Sequence, residues 1–477
     1  MKKIFIILSV FILLSSCSDD FIDQLPVSTI SVDILYKTNN DFQDAVTACY
    51  STMQTQYQDF WMFGDVRGDD SWDELNKGTP GGIDNFYVSN DDGILKSTWR
   101  NYYNVIFSAN MVLQKIENAD PGLVIDKDRF IGEAKFMRAL AYFDLVRIFG
   151  DIPLIISPVT IKDSYKTPRE HVQKVYDEVI IKDLLDAESK LPASYAGFNL
   201  GRATSGAAKS ILGRVYLTLG DFANAEIKLQ EVTKMGYALL PNYNDLFNYS
   251  KNEHHSEYIF DIEYEKGISE GNNFNNYFMP NSSLMLAFYG LTGIGSDYNS
   301  PTDQLRVAFT NTDKRKDVTV GVKGGFYNKE GIFVPFFLVN AQSYTKKYII
   351  SSTAGDCPAN WKVIRYADVL LMYAEALNEN SKTTEALVYL NQVRLRAGVN
   401  TYSNLTQQKT RDMIALERRL ELSFEGVRWF DLVRTGKALD NLQSRGMQPY
   451  MTIFPIPLSE VQLVNDPTIL SQNPGYN

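Results

Sequence analysis

The stretch AAKSILGRVYLTLGDFANAEIKLQEV, Ala207 to Val232, decides the fold. Small residues at Ala207, Gly213 and Ala225 let two helices approach closely, while Leu212, Tyr216, Leu219, Phe222, Ile227 and Leu229 fill the space between them and Gly220-Asp221 makes the turn. Such an antiparallel pair cannot bury its apolar face alone and needs stacked neighbours, which is the grammar of tetratricopeptide repeats. A second pair, Tyr366 to Asn378 and Thr383 to Arg396, repeats the pattern through Ala374-Glu375-Ala376 and Ala386-Leu387.

Working outward, apolar residues at a helical period predict further helices over 40–58, 94–117, 128–149, 170–190 and 410–436. From about Leu240 to Asn360 the period breaks down into loops with strand-like runs such as Glu257 to Phe260 and Tyr348 to Ile350. The fold class is therefore mainly α: a tetratricopeptide-like helical-repeat scaffold with a large irregular, loop-rich insertion. Loops held on a rigid scaffold commonly form binding surfaces, the alternative being a packed subdomain that merely covers the helices. Trp99 and Trp429 fall on helical patterns and read as core, and Arg138, Arg418, Arg419 and Arg428 stand near Glu133, Glu417 and Glu421 as candidates for buried ion pairs.

The chain opens MKKIFIILSVFILLSSCSDDF. A basic start, an apolar run from Ile4 to Leu14 and Ser15-Ser16-Cys17 read as a bacterial lipoprotein signal, with Cys17 acylated after cleavage. The run is about half of the roughly 20 residues a membrane-crossing helix needs. The expected partition is 1–16 signal peptide, 17–38 lipidated tether and start of the body, 39–239 N-terminal helical-repeat part, 240–360 loop-rich ligand-binding subdomain, and 361–477 C-terminal helices and coil. The net charge of -10 argues against nucleic acid as a partner. Cys49 and Cys357 are too few for a disulfide framework and read as free or buried thiols, a single bridge being the alternative.

The segments NDFQDAVTACYSTM, WRNYYNVIFSAN, GEAKFMRALAYFDLVRIFGDIPL, WKVIRYADVLLMYAEALNE, LERRLELSFEGVRWFDLVRTGK and PIPLSEVQLVNDPTILSQNPGY, together with Cys17 in LLSSCSDDF, resemble the SusD/RagB family of surface glycan-binding lipoproteins and run in family order along practically the whole chain. The resemblance implies a noncatalytic lid on a SusC-like TonB-dependent outer-membrane transporter, capturing oligosaccharides or polysaccharides for import. It implies display at the cell surface, attached to the outer membrane through the lipid anchor; Asp19-Asp20 resembles the acidic export tag of some such lipoproteins. A protein-binding helical-repeat scaffold and a glycoside hydrolase are the rival readings.

Candidate ligand residues centre on GDVRGDDSWDELNKG, Gly64 to Gly78. Asp69 and Asp70 would accept hydrogen bonds from sugar hydroxyls, Arg67 would donate them, and the Trp72 indole would cover the apolar face of a ring. Against this, Trp72 reads equally as a plug under the loop, and Arg67 and Asp69 as partners of each other. The middle region adds Tyr298 and Tyr327. Arg365 opens a helix and could simply pair with Asp368, and Asp41 near a helix N-terminus is explained by the dipole alone. No cofactor and no metal are expected: the histidines lack the HExxH arrangement, and Asp65, Asp69, Asp70, Asp73 and Glu74 offer oxygen ligands for calcium without EF-hand spacing.

Overall fold

Helix α1 (Asn39–Tyr57) begins where Thr38 and Asp41 close a capping box, each side chain accepting the other's backbone amide. The computed structural model that shows this describes residues 35–73, 77–251, 253–336 and 342–476, so the leader, Cys17 and Glu74 lie outside the described residues. Asp92 caps α2 (Gly93–Glu117), which packs with α1 against α3 (Lys127–Phe149), a helix buried on almost every side. α4 (Ile181–Lys190), α5 (Ser205–Thr218) and α6 (Phe222–Thr233) follow, then α7 (Tyr366–Glu379), α8 (Thr383–Ala397), α9 (Gln407–Glu421) and α10 (Arg428–Arg434) after the irregular middle. Each helix from α2 to α9 packs on its predecessor, α6 directly on α7, while α10 packs on the π-helical turn Met62–Val66. The stack is thus continuous, and the middle region loops out of it.

The small residues do what their spacing predicts. Ala207 and Ala225 are fully buried, and a Cβ on Gly213 would lie 2.6 Å from Leu229, so Leu229 seats on the bare backbone of α5. Ile227 is a correction: it is 55% exposed, because the inward stripe of α6 runs through Ala225, Leu229 and Val232. The helix expected over 170–190 is also interrupted, with a short strand Arg169–Glu170, a turn capped by His171 and a π-helical turn Tyr176–Ile180 before α4. Trp99 and Trp429 are core, and Cys49 and Cys357 are free thiols that burial pushes up to about 12.

The middle region contributes short antiparallel pairs. β1 (Ser71–Trp72) precedes it in sequence; within and after it come β2 (Tyr258–Ile262), β3 (Ser300–Pro301), β4 (Gly325–Tyr327), β5 (Phe333–Pro335) and β6 (Trp361–Arg365), pairing β1 with β3, β2 with β6 and β4 with β5. Tyr348 to Ile350 is not a strand. Tyr348 instead lies parallel on Trp361 with ring centroids 5.3 Å apart and donates its hydroxyl to the Phe424 carbonyl.

The span expected as one helix over 410–436 is broken between α9 and α10. Gly426 has φ +72, and its backbone packs so closely on Gly64 that a Cβ on Gly64 would lie 2.3 Å from the Gly426 carbonyl oxygen. Asp65 accepts the Gly426 amide at 2.8 Å inside this contact. Burial pushes the Asp65 carboxyl up to about 8, against the lowering influence of that amide and of Lys347. The folded state therefore binds a proton that the unfolded chain releases above roughly pH 4, and the stability this contributes is lost as the pH rises to about 8. Asp65→Asn, which mimics the protonated group, should gain stability relative to the parent progressively between those limits; parallel urea curves at pH 5 and pH 8 with an unchanged difference would contradict this.

Buried ion pairs pin the middle region to the last helices. Arg365 meets Glu257, Glu421 and Glu425; Arg315 meets Asp313, Glu417 and Glu421; Lys347 meets Glu425; Arg396 meets Glu257 and Glu421; and Arg394 meets Glu417. Cations and carboxylates in this cluster balance in number. The ion pairs expected near α3 and α9 exist with other partners: Arg138 takes Asp183, Arg418 takes Asp368 and Asp431, Arg419 takes Asp70, and Arg428 takes Asp69. Sequence neighbours on a helix point to different faces, so cross-helix partners win.

Candidate functional site

β1 carries Trp72 onto the surface. Its partner β3 comes from the middle region, with Ser71 opposite Pro301 and Trp72 opposite Ser300, and the Thr302 amide donates to the Asp70 carbonyl at 2.9 Å to extend the ribbon. Trp72 is half-buried. Lys77 lies over its ring, 5.5 Å from the centroid, and donates to the Asp297 carbonyl at 2.6 Å, so one face of the indole carries a cation fixed to the middle region. Trp61, Trp99, Trp361 and Trp429 are all buried, which leaves Trp72 as the tryptophan that reaches the surface.

The carboxylates around Trp72 turn inward. Asp69 takes both nitrogens of an Arg428 fork at 2.6 and 2.8 Å and an amide hydrogen of Asn441, while Asp70 accepts from Arg419 Nε at 2.6 Å. Burial works against the ionised form of Asp69, but Arg428 outweighs it and brings the carboxyl down to about 2. Asp70, more deeply enclosed, is raised by burial despite its arginines. Asp73 accepts the Asn299 amide, and Asp84 accepts the Asp73 amide and Arg445; burial raises both, Asp84 to about 6. These groups hold the Trp72 ribbon against α9, α10 and the C-terminal coil.

Arg67 does not pair with Asp69. It is buried, donates to the Ile83 and Met451 carbonyls at 3.2 Å, and places its guanidinium 4.1 Å from the Phe86 ring centroid and 4.6 Å from that of Phe454. Arg365 does not pair with Asp368 but with the three glutamates already named. Asp41 serves the α1 cap. Tyr298 is half-buried two residues before β3, with one ring face stacked on Trp61 at 6.0 Å. Tyr327 stands 58% exposed at the edge of the β4–β5 hairpin against Phe333, while its neighbour Phe326 turns inward onto Phe288. Sequence reasoning missed Lys77 and Asp297, the cross-chain clamp beside Trp72; Lys77 lay inside the quoted motif, but its partner is 220 residues away.

The described residues contain no group of three or more His, Cys, Asp or Glu side chains arranged to hold a metal ion, and no helix long and apolar enough to cross a membrane. Glycoside hydrolysis requires two carboxyl groups facing one ligand, whereas those of this loop face arginines and backbone amides. The helical stack thus offers aromatic loops and keeps the carboxylates of this loop inside. The "SusD family" model matches residues 243–449, and the "Starch-binding associating with outer membrane" model matches residues 20–217. A SusD-like protein of Formosa agariphila is 30% identical over all of both chains, and another of Bacteroides ovatus is 30% identical over 91% of this chain and 82% of its own length. A solved structure described as a laminarin-binding SusD-like protein is 29% identical, covers 92% of this chain and all of its own, and superposes with a TM-score of 0.78.

The chain belongs to the SusD/RagB family. It is a noncatalytic glycan-binding protein of the outer membrane surface.

Proposed function

We propose that the protein captures an oligosaccharide or polysaccharide at the cell surface and delivers it to a SusC-like TonB-dependent transporter, held to the outer membrane by acylated Cys17. The half-buried Trp72 ring on the β1–β3 ribbon carries this reading, because an indole that reaches the surface beside a fixed cation suits stacking on a sugar ring. Tyr298 and Tyr327 extend the face from the 240–360 region. Asp69, Asp70, Arg67 and Arg365 act behind it as supports, since Asp69 is held by Arg428, Asp70 by Arg419, Arg67 by the Ile83 and Met451 carbonyls and Arg365 by Glu257, Glu421 and Glu425.

Laminarin is the first ligand to test, because a relative with 29% identity is described as binding it. In calorimetry on the full-length protein in mild detergent, Trp72→Ala should weaken binding several-fold, as expected when roughly 50 Å² of apolar contact is lost at about 25 cal/mol/Å². No new reducing ends should appear. Unchanged affinity in a folded Trp72→Ala protein would move the site elsewhere.

A further inference from the structure

Asp59 stands in the bend after α1, two residues before the buried Trp61. An aspartate there would ordinarily cap the turn that follows, but this one does not. The Met62 amide donates to the Asp59 backbone carbonyl at 3.1 Å, and the side chain meets no hydrogen-bond donor and no cation among the described residues. Asp59 is half-buried, and whereas one carboxylate oxygen each of Asp65, Asp70 and Asp73 is sealed from solvent without a partner, the oxygens of Asp59 are not. Burial alone moves its carboxyl, up to about 6. The fold thus supplies a partly desolvated acceptor and no donor for it.

The neighbours of this acceptor are aromatic. Trp61 packs against Tyr277, from the short helix Phe274–Phe278, at 5.8 Å between ring centroids and against Tyr298 at 6.0 Å, and the two tyrosines are 6.2 Å apart. The Tyr298 amide donates to the Tyr277 carbonyl at 2.8 Å, which fixes them as a pair, and both are half-buried. Burial, and then the charge of Asp59, raises the hydroxyls of Tyr277 and Tyr264. One residue before Tyr298, the Asp297 carbonyl accepts Lys77, the cation over Trp72. A chain of contacts therefore links Asp59 through the tyrosine pair to the Trp72 ribbon. A half-open carboxylate beside aromatic rings suits adjacent hydroxyls of a sugar, which donate one to each oxygen while the ring packs on the tyrosines. An acidic sugar would instead bring a second negative charge to a carboxylate already short of solvation.

We propose that Asp59, beside Tyr277 and Tyr298, is a specificity-determining contact of the glycan face, accepting hydrogen bonds from adjacent hydroxyls of an uncharged sugar and turning acidic sugars away. This rests on the glycan-capture reading above and names the ligand class of the same face.

The test is calorimetry on the full-length protein in mild detergent, with laminarin oligosaccharides, a panel of other neutral hexose oligosaccharides, and uronic acid oligosaccharides, at pH 5 and pH 7.5. Asp59→Asn keeps the shape of the side chain and breaks no internal hydrogen bond, so folding is not at stake. It should weaken neutral-glycan binding about tenfold at pH 7.5, the usual weight of hydrogen bonds to a charged group. The ligand favours the ionised carboxylate, so parent affinity should rise between the two pH values while that of Asp59→Asn stays flat; Tyr264 and Tyr277, which face Asp59, remain protonated throughout. An Asp59→Asn protein with the parent's affinity and pH profile would overturn the contact, and weakened binding by Trp72→Ala in the same series would leave glycan capture standing. Uronic acid oligosaccharides that bind the parent as tightly as neutral ones would overturn the selectivity. Weakening by Asp59→Asn but not by Trp72→Ala would keep this contact and remove the Trp72 platform, and no binding across the whole panel would overturn both readings.

Discussion

Replacing Glu421 with alanine is expected to destabilise the protein by about 3–5 kcal/mol, the usual cost of removing one partner from a buried ion cluster. Glu421 is wholly buried and faces Arg315, Arg365 and Arg396. Without it, three buried guanidiniums keep their desolvation penalty and lose a shared counter-charge. Burial alone would raise this carboxyl, but Arg396, Arg365 and Arg315 outweigh it and hold it well below the usual carboxylate range. Its contribution is therefore complete above its unfolded value near pH 4 and lost as the pH falls, so the gap between parent and variant should narrow in acid. Urea denaturation at pH 7 and pH 3.5 measures both statements. A loss under about 1 kcal/mol at pH 7 would show that the cluster reorganises around the gap.

Gly64→Ala should be comparably damaging, by about 3 kcal/mol or somewhat more, the upper end of overpacking costs. The added Cβ would meet the carbonyl oxygen, carbonyl carbon and Cα of Gly426 at 2.3 to 2.5 Å, and a backbone cannot swing aside as a side chain can. Relief requires parting the π-helical turn Met62–Val66 from the α9–α10 junction, which also breaks the Asp65 bond to the Gly426 amide. Gly93→Ala is the control: nothing lies within 4 Å of its Cβ position, and its effect should stay within about 0.5 kcal/mol. Equal stabilities for the two variants would refute the close-approach account.

The same glycine contact explains where the sequence was legible and where it was not. Ala207, Gly213 and Ala225 announce a helix pair because their partners are nearby in the chain and the period is local. The break within 410–436 is announced only by Gly426, since Leu422, Phe424, Trp429 and Phe430 continue an apolar pattern; what enforces it is Gly64, far away in sequence. Trp72 could be singled out by its setting among turn residues. That Asp69 and Asp70 turn to Arg428 and Arg419 could not, because a carboxylate in a loop has the same letters whether it awaits a sugar or an arginine.

The ribbon that presents Trp72 carries a consequence for biogenesis. Its strands join residues 71–72 to 300–301, and the carboxylates beneath it reach partners 349 and 359 positions along the chain. Loop closure over such separations is slow and comes late, after local helices have formed. A chain cut or stalled before α9 and α10 can therefore assemble its first repeats and still lack the supports of the Trp72 ribbon. A closed ribbon thus certifies that the whole polypeptide has arrived and folded back upon itself.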